Sequence, residues 1–337
     1  MARDNLPPFI QALLDPTVYP HEAPSVELVQ THISFVVLAG DYVYKFKKPV
    51  DFGFLDFSTL DKRKSCCEQE LLLNRRLSPE IYLGLVTVNR DGERFSLDGR
   101  GEIVEYGVKM VRMPEERMMV NVIRSGELGR SHIDHLVDVL APFYEKAENS
   151  PEIDRFGTAS AVSVNVLENF DQTESFVGGE ALPRDRFEVI STYARNFLDR
   201  SELFEERIAA GRIRDCHGDL YSANICLADK VYIYDCIEFN QRFRYCDVAS
   251  DVAFLAMDLD HWGLEDLSGY FIDRFVARAN DPGLLQVLDF YKCYRAYVRG
   301  KIGLFTAGDP AVDDKVRKEQ LAAAAEYFRL AERYATR

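Results

Sequence analysis

The chain has 337 residues with a formal net charge of −14, and 47% of its residues are apolar. This length suffices for two domains or one large two-lobed domain, and the apolar share suffices for a substantial core. Nucleic acids and anionic membranes select surfaces rich in Lys and Arg. The acidic balance therefore argues against both as main partners and is compatible with a cationic small molecule.

The sequence shows no targeting segment. It has no long apolar stretch at the N-terminus, and no apolar run approaches the roughly 20 residues that span a bilayer. The seven cysteines include no C-x-x-C pair, and those at the even spacing, Cys216, Cys226, Cys236 and Cys246, fall in or beside apolar strands. We therefore expect buried thiols in a cytoplasmic protein rather than a zinc site.

The first third of the chain predicts a small sheet. A short helix near residues 10–14 is expected within an N-terminal extension, residues 1–24. Hydrophobic alternation and turn residues then predict four strands, at residues 26–37, 41–46, 83–88 and 102–113, with a hairpin at 89–92. One helix is predicted at residues 60–77, where Ser78-Pro79 ends it. We expect an antiparallel β lobe with one helix over residues 25–113.

Pro114 marks a change to mainly helical patterns. Helices are predicted at residues 133–146 and 186–210 and in long segments after Pro282. An island of short strands is predicted between residues 213 and 234. The expected fold class is α+β, with the small β lobe followed by a larger helical lobe over residues 114–337.

The most informative segment reads HGDLYSAN, residues 217–224, and is followed by a short strand that ends at Asp235. It supplies an acid, Asp219, an amide, Asn224, and then the second acid. Phosphoryl transfer uses such a set, because one carboxylate can orient a substrate hydroxyl and Mg²⁺ prefers oxygen ligands. Either aspartate alone would normally be a turn residue. The occurrence of both aspartates together with Asn224 favours a role in phosphoryl transfer.

This segment resembles the H-G-D-x-x-x-x-N catalytic loop of the aminoglycoside phosphotransferase and choline-kinase-like family, distant relatives of protein kinases. The runs DCIEF at 235–239 and DVASDVAF at 247–254 look like the family's metal-binding strand and the helix behind it. The resemblance covers about residues 26–333 and is closest to a bacterial subgroup whose longer members carry a C-terminal P-loop ATPase domain. The chain contains no G-x-x-x-x-G-K-[ST], so we expect that second domain to be missing here.

The resemblance implies a protein-kinase-like two-lobed fold that uses ATP and Mg²⁺. It implies that Asp219 is the catalytic group, that His217 supports the loop, and that Asn224 and Asp235 hold the metal. A general-base role is the alternative for His217. Asp251, on the following helix, is expected to anchor the loop, and Asp247 is the competitor for that task.

In the β lobe, VYK at residues 43–45 resembles the V-A-I-K strand whose lysine reaches the α- and β-phosphates. Strand side chains alternate, so Lys45 and Lys47 share a face and both are candidates. Lys45 is preferred because the apolar run leads directly into it, and the alternative is an edge strand with protective lysines. Its expected partner is Glu70 rather than Glu68, since the two lie about 200° apart on a helix.

No G-x-G-x-x-G precedes this strand, which favours the aminoglycoside-type enzymes over protein kinases. Ser34 is the residue there that can offer a hydroxyl or amide to phosphate. Residues 108–114 occupy the expected hinge, where Met110, Arg112 and Met113 are candidates for the nucleotide pocket. Plain core packing is the alternative for the two methionines.

The acceptor side is less specific. Residues 245–273 contain no Lys or Arg but seven acids, which favours an amino-bearing substrate, with a solvated helical face as the alternative. Glu238, Asp247 and Trp262 are the candidate substrate contacts. A solvated loop acid is the alternative for Glu238, and core packing is the alternative for Trp262.

The sequence thus predicts an ATP- and Mg²⁺-dependent phosphotransferase that moves the γ-phosphoryl group to a hydroxyl of a small, amine-bearing molecule. A catalytically inactive nucleotide-binding pseudokinase or regulatory module is the first alternative. A kinase that acts on protein side chains is the second, and the missing glycine-rich loop and A-P-E-like segment argue against it.

Overall fold

The computed structural model describes residues 6–310 and 312–337. The chain divides into two compact units. Unit 1 comprises the described residues up to Met118 together with Cys226–Gln241, and unit 2 comprises Met119–Ile225 and the described part of Arg242–Arg337. The expected lobe boundary lies at residues 113/114, whereas unit 1 runs to Met118 and also includes the segment after the catalytic-loop motif. Residues 1–5 of the expected N-terminal extension lie outside the described residues.

Unit 1 contains a six-stranded antiparallel sheet in the order β1-β2-β3-β6-β4-β5. Its strands are β1 Val26–Gln30, β2 Ser34–Ala39, β3 Tyr42–Lys47, β4 Tyr82–Asp91, β5 Arg94–Leu97 and β6 Glu102–Val111. The single strand predicted at residues 26–37 is wrong, because the chain reverses where Thr31 Oγ1 accepts the amides of Ile33 and Ser34 at 3.3 and 2.9 Å. The predicted hairpin exists, but it leads into β5, which was not predicted.

Two helices of unit 1 lie against opposite faces of this sheet. Helix α1, Pro8–Leu13, buries its apolar side chains in a core that contains Tyr44 and Phe46 of β3. Helix α2, Leu60–Asn74, contributes to a second core that contains Val108 of β6. It begins at Thr59, whose side chain accepts the amide of Lys62, and it ends three residues before the predicted end. Because strand side chains alternate, the odd-numbered residues of β3 face α2.

Unit 2 is mainly helical. Its helices are α3 Met119–Arg124, α4 Arg130–Lys146, α5 Pro151–Asp154, α6 Ala159–Thr173, α7 Arg184–Leu198, α8 Ser201–Ala209, α9 Gln241–Arg244, α10 Val248–His261, α11 Glu265–Ala279, α12 Leu284–Gly308 and α13 Asp314–Ala335, with α9 beginning at the unit boundary. The single helix predicted at 186–210 is two helices, because Arg200 leaves the helical conformation with ψ 61°. The long helices predicted after Pro282 are α12 and α13.

Four short strands surround the HGDLYSAN segment in sequence. They are β7 Ile213–Asp215, β8 Ile225–Leu227, β9 Val231–Ile233 and β10 Tyr245–Asp247, of which β10 was not predicted. Strand β7 pairs with β10 in unit 2, so the catalytic-loop motif begins as the chain leaves a two-stranded ribbon. The β8–β9 ribbon leads directly to Asp235.

No helix in the described part of the chain is both long and apolar enough to cross a bilayer. Six of the seven cysteines are buried, and the side chain of Cys246 is half-buried.

Candidate functional site

A row of alternating acids and lysines crosses unit 1 on the α2 side of the sheet. Glu70 of α2 is wholly buried and contacts two lysines of β3, with Oε1 2.9 Å from Lys45 Nζ and Oε2 2.6 Å from Lys47 Nζ. Lys45 also pairs with Asp235, and Lys47 also pairs with Glu238. We name this row, Asp235–Lys45–Glu70–Lys47–Glu238, the charge ladder. It joins a strand, a helix and the segment after β9.

The charge ladder is open to solvent at one end. The Asp235 side chain is 45% exposed and that of Lys45 is 13% exposed, whereas the other three are at most 4% exposed. Burial alone would lower the pKa of Lys45, but the carboxylates of Asp235 and Glu70 raise it well above its ordinary value. Burial would raise the pKa of Glu70, and its two lysines lower it instead. Lys45 and Glu70 are therefore both charged.

The position of β3 in the sheet decides whether Lys45 and Lys47 are protective lysines of an edge strand, which the sequence left open. Strand β3 lies between β2 and β6, so an edge strand with protective lysines is wrong. Glu68 is exposed and lies 3.9 Å from Lys64, so it does not contact either lysine of the ladder. Both Lys45 and Lys47 reach Glu70, but only Lys45 belongs to the exposed end.

The backbone at Asp235 is held in an uncommon conformation. Its φ is +62°, in the left-handed region that aspartate tolerates better than most residues. The Asp235 amide donates to the Tyr82 hydroxyl at 3.1 Å, and the next amide donates to Asn74 Oδ1 at 2.9 Å. Just upstream, the Ser78 hydroxyl donates to the carbonyl of Ile233 at 2.8 Å and accepts its amide at 3.0 Å. Several independent bonds thus direct the Asp235 carboxylate.

The remaining unit 1 candidates lie nearer the core. The hydroxyl of Ser34 is buried and has no hydrogen-bond partner among residues 6–310 and 312–337. Met110 is buried in the core beneath α2, and Met113 packs against that core while partly exposed. Arg112 is half-buried, with a guanidinium nitrogen 4.0 Å from Glu27. Of the two methionines that are candidates for the nucleotide pocket, Met110 therefore contributes to core packing.

In unit 2, Asp251 holds the start of the HGDLYSAN segment. This aspartate of α10 is wholly buried, and its Oδ2 accepts the amide of His217 at 2.7 Å. Its two oxygens accept the amide of Gly218 at 3.0 and 3.2 Å, and the Tyr144 hydroxyl donates to it at 3.1 Å. Gly218 has φ +88°, a conformation that favours glycine. Asp251 thus occupies the anchoring position, and its competitor Asp247 lies elsewhere.

Asp219 and Asn224 are bonded to each other. Asn224 Nδ2 donates to the main-chain oxygen of Asp219 at 2.9 Å and to its Oδ2 at 3.0 Å. The Asp219 amide donates to Nδ1 of the buried His217 at 3.3 Å, so this imidazole braces the loop. The amide oxygen of Asn224 takes part in neither of these two bonds and is the atom of this side chain that can ligate a metal ion.

Two arginines of α12, one helical turn apart, also contact this loop, and sequence reasoning missed them. Arg295 Nη1 donates to the main-chain oxygen of Gly218 at 3.0 Å, and its Nε donates to Ser250 Oγ at 3.1 Å. Arg295 is buried, and its Nη2 lies 3.5 Å from Asp251. It therefore reinforces the anchoring aspartate from the other side of the loop. Its i, i+4 spacing from Arg299 in a helix with many apolar residues is the signal that was available.

Arg299 reaches the next part of the loop. Its guanidinium lies 4.8 Å from the ring centroid of Tyr221 and 5.6 Å from that of Tyr327. Burial alone would lower the pKa of Arg299, but Tyr221, Tyr327 and then Asp219 raise it. A permanent cation therefore acts electrostatically on the candidate catalytic carboxylate.

The remaining acceptor-side candidates are engaged in unit 2. Asp247 is buried, caps α10 by accepting the Ala249 amide at 2.8 Å, and pairs with Arg207 at 2.7 Å. Trp262 follows α10 and lies under the guanidinium of Arg124 at 5.6 Å from the ring centroid. Asp247 therefore serves the structure of unit 2, whereas Trp262 keeps a half-buried ring.

Each unit offers an oxygen atom of the kind that a hard divalent cation prefers. Across residues 6–310 and 312–337, no three His, Cys, Asp or Glu side chains cluster as metal ligands would. The candidates are one amide oxygen, from Asn224, and one exposed carboxylate, from Asp235. Magnesium is usually bound by one or two protein oxygens together with substrate phosphates. The residues present therefore suit Mg²⁺ and do not suit zinc.

No protein-family model matches the chain. Uncharacterized proteins of Mycobacterium tuberculosis and Mycobacterium bovis are 34% identical to it over 305 residues. The match covers 88% of this chain and 59% of each relative, so the chain spans less than two thirds of the length of these curated proteins.

Solved structures of small-molecule kinases share the fold. An amicoumacin kinase in complex with AMP-PNP, Ca²⁺ and Ami aligns with a TM-score of 0.53 at 14% identity, over 94% of this chain and 90% of its own. A choline/ethanolamine kinase family protein of Mesorhizobium loti aligns with a TM-score of 0.51 at 11% identity, over 97% of each chain. The chain has this kinase-like α+β fold. The predicted fold class is confirmed.

Proposed function

We propose that this protein is an ATP- and Mg²⁺-dependent phosphotransferase that moves the γ-phosphoryl group to a hydroxyl of a small, amine-bearing molecule. The observation that carries the proposal is the contact of Lys45 with both buried Glu70 and exposed Asp235. These three residues come from a strand, a helix and a distant loop of unit 1. A lysine held by a buried acid beside an exposed acid is the arrangement that kinases use to bind nucleotide and metal.

Each charged group has a role that follows from its surroundings. Lys45 would bind the phosphates, and Glu70 would keep its ammonium group in place. Asp235 and Asn224 would hold the divalent cation. When bound, that cation neutralises charge that develops on the phosphate oxygens.

Asp219 is the group suited to act on the acceptor. Its half-buried carboxylate can accept a hydrogen bond from the acceptor hydroxyl and keep that oxygen aligned with the γ-phosphorus. As the new oxygen–phosphorus bond forms, the bond from the γ-phosphorus to the bridging oxygen breaks and ADP leaves. The hydroxyl proton passes to Asp219. Asn224 and His217 restrict the movement of this carboxylate through their hydrogen bonds.

Fewer acids are available to attract an amine on the acceptor than the acidic stretch 245–273 indicates. Four of its seven acids are buried and engaged: Asp247 with Arg207, Asp251 with the loop amides, Asp258 with the Ser222 amide at 2.9 Å, and Asp260 with Lys292 at 2.9 Å. The exposed remainder is Glu265, Asp266 and Asp273. The amine preference therefore depends on these three acids and on the net charge of −14.

A thermal-shift titration tests the nucleotide site. ATP would be added with and without Mg²⁺ to wild type, Asp235→Ala and Asp219→Ala. A ligand at 100 times its dissociation constant stabilises a protein by about 2.7 kcal/mol, which moves the midpoint by a few degrees in a chain of this size. We expect a Mg²⁺-dependent rise in wild type that Asp235→Ala loses and Asp219→Ala keeps. A wild type without any shift would refute the proposal.

Turnover separates an enzyme from a nucleotide-binding module. ADP release would be followed with amino alcohols and with matched alcohols that lack the amine. We expect turnover that prefers the amino alcohols and that Asp219→Ala reduces by about 10²–10⁴-fold. Nucleotide binding without turnover for any acceptor would favour the pseudokinase alternative. Equal use of both alcohol series would remove the amine from the proposal.

A further inference from the structure

The second lysine of the charge ladder has no access to a ligand. The side chain of Lys47 is 0% exposed, and Phe57 covers it with a ring centroid 5.6 Å from Nζ. Its partner Glu238 is 4% exposed and also accepts the thiol hydrogen of Cys66, with Sγ 3.3 Å from Oε1. Neither residue can touch a nucleotide, and Glu238 is too enclosed to contact an acceptor. The presence of this buried ion pair needs an explanation other than stability, because buried ion pairs often stabilise a protein no more than apolar residues of similar size would.

The way in which Glu70 is shared between two lysines explains the presence of Lys47. Its two oxygens are divided between Lys45 and Lys47, and Lys45 is shared with Asp235. A nucleotide and a cation would compete for Lys45 and Asp235. If Lys45 were its only partner, Glu70 would then become a buried carboxylate with weakened compensation, which is strongly unfavourable. Lys47 keeps one oxygen of Glu70 paired whatever the exposed end of the ladder binds.

Glu238 has a corresponding role, which is to hold residues 235–238 in place. It follows Asp235 by three residues, and its carboxylate ties the segment to β3 through Lys47. The other end of the segment is tied by Tyr82 and Asn74, which accept successive amides at 3.1 and 2.9 Å. The left-handed turn at Asp235 is therefore fixed on both sides. Loss of either attachment would let the carboxylate swing.

We propose that Lys47 and Glu238 are positioning residues, a buried ion pair that holds Glu70 and residues 235–238 so that Lys45 and Asp235 are presented in one geometry to Mg²⁺-nucleotide. This inference rests on the proposed function and adds to it two residues that never contact the ligand. Groups that orient the residues contacting a metal typically change affinity or activity 10–100-fold when they are removed.

The experiment compares the single variants Lys47→Met and Glu238→Gln with their double variant. The double variant replaces the pair with neutral side chains of similar size, so it should fold even if one single variant does not. Lys47→Arg serves as the rescue variant because it keeps the charge. The matched control is Arg63→Met/Glu105→Gln, another buried ion pair anchored on α2, with Arg63 Nε 2.9 Å from Glu105. Neither residue is a member of the charge ladder, although Arg63 also donates to the main-chain oxygen of Phe57 at 3.0 Å.

Two readouts are needed. The first is the dissociation constant for Mg²⁺-ADP. The second is independent of nucleotide, namely amide hydrogen exchange of residues 235–238 and the labelling rate of the Cys66 thiol in a Cys67→Ser background. We expect the double variant to bind about tenfold more weakly, with faster exchange and faster labelling. The control should lose stability with none of these changes, and Lys47→Arg should restore part of the affinity.

The outcomes separate the two proposals. Unchanged nucleotide affinity and unchanged exchange in the double variant, with stability lowered as in the control, would overturn the positioning role. A wild type that binds no nucleotide would refute the proposed function instead. In that case exchange and labelling alone decide whether Lys47 and Glu238 hold residues 235–238.

Discussion

The charge ladder of unit 1 and the HGDLYSAN loop of unit 2, residues 217–224, are held by different kinds of bond. The ladder joins side chains of opposite charge, and its central carboxylate, Glu70, forms ion pairs with Lys45 and Lys47. The loop is held through its backbone, since Asp251 accepts the amides of His217 and Gly218. Charge therefore positions Lys45, and backbone hydrogen bonding positions the candidate catalytic acid. Substitutions that remove charge or acceptors should separate the two.

The largest effect is expected at Glu70. Glu70→Gln keeps the size of the side chain but leaves Lys45 and Lys47 without their shared carboxylate. Lys45 keeps Asp235 and Lys47 keeps Glu238, but both lose the wholly buried carboxylate that they share. Because removing one partner of a buried ion pair typically costs about 3–5 kcal/mol, the free energy of unfolding should fall by about that amount. Urea unfolding measures it. The control is Glu68→Gln on the same helix, which is exposed and should change stability by less than about 0.5 kcal/mol. Similar losses in both variants would mean that the ladder is not held by charge.

The next largest effect is expected at Asp251. Asp251→Ala removes the acceptor of two buried amides and of the Tyr144 hydroxyl, and such unpaired groups should cost about 3 kcal/mol in unfolding free energy. Turnover should fall as the loop loosens, whereas Mg²⁺-ATP binding at the exposed end of the ladder should persist. Glu319→Ala, at an exposed acid of α13, is the control. If nucleotide binding were lost in parallel with turnover, the separation of the two regions would be disproved.

A smaller effect is expected at Arg299. Arg299→Met removes the cation near Asp219, and we expect kcat to fall about tenfold, equivalent to about 1.4 kcal/mol, with the KM for ATP unchanged. Arg299→Lys keeps the charge but loses the planar group over Tyr221, so it should recover part of kcat. Steady-state kinetics in which ATP and acceptor are each varied measure kcat and both KM values. A change confined to the KM for the acceptor would instead make Arg299 a binding residue.

The sequence predicted the groups that lie close together along the chain. Asp219 and Asn224 are five residues apart, so one loop presents both, and the alternation of β3 placed Lys45 and Lys47 on one face. The turn at residues 31–33 was missed because a hydroxyl from Thr31 replaces the strand hydrogen bonds that hydrophobic alternation implies.

Long-range pairs were beyond sequence reasoning. Arg295 and Gly218 are 77 residues apart, and Lys47 and Glu238 are 191 apart. A charged residue in an apolar segment shows that a partner must exist, because a buried charge is costly alone. Which partner it finds depends on how the helices and strands come together. That is why Glu238 remained only a candidate substrate contact and Lys47 only a competitor of Lys45.

The smallest expected effect is on the pH dependence of stability near neutrality. It should differ between His261 of unit 2 and the charge ladder of unit 1. Burial lowers the pKa of His261, whose ring stacks on Tyr327 with centroids 4.0 Å apart. An unfolded histidine takes up a proton near pH 6.5, and the folded one does so only at lower pH. The contribution of His261 to stability is therefore present above about pH 6.5 and is lost as pH falls below it. Glu70 and its two lysines should not respond there, because the pKa of Glu70 is lowered and those of Lys45 and Lys47 are raised.

Urea unfolding at pH 7.5 and pH 5.5 tests this difference. His261→Gln should reduce the pH dependence of the unfolding free energy by less than about 1 kcal/mol, whereas Glu70→Gln should lower stability equally at both pH values. His135→Gln, on α4, is the matched histidine control, because its side chain is exposed. If Glu70→Gln changed the pH dependence and His261→Gln did not, the ladder would titrate near neutrality, and its fixed charge would no longer explain how Lys45 is held.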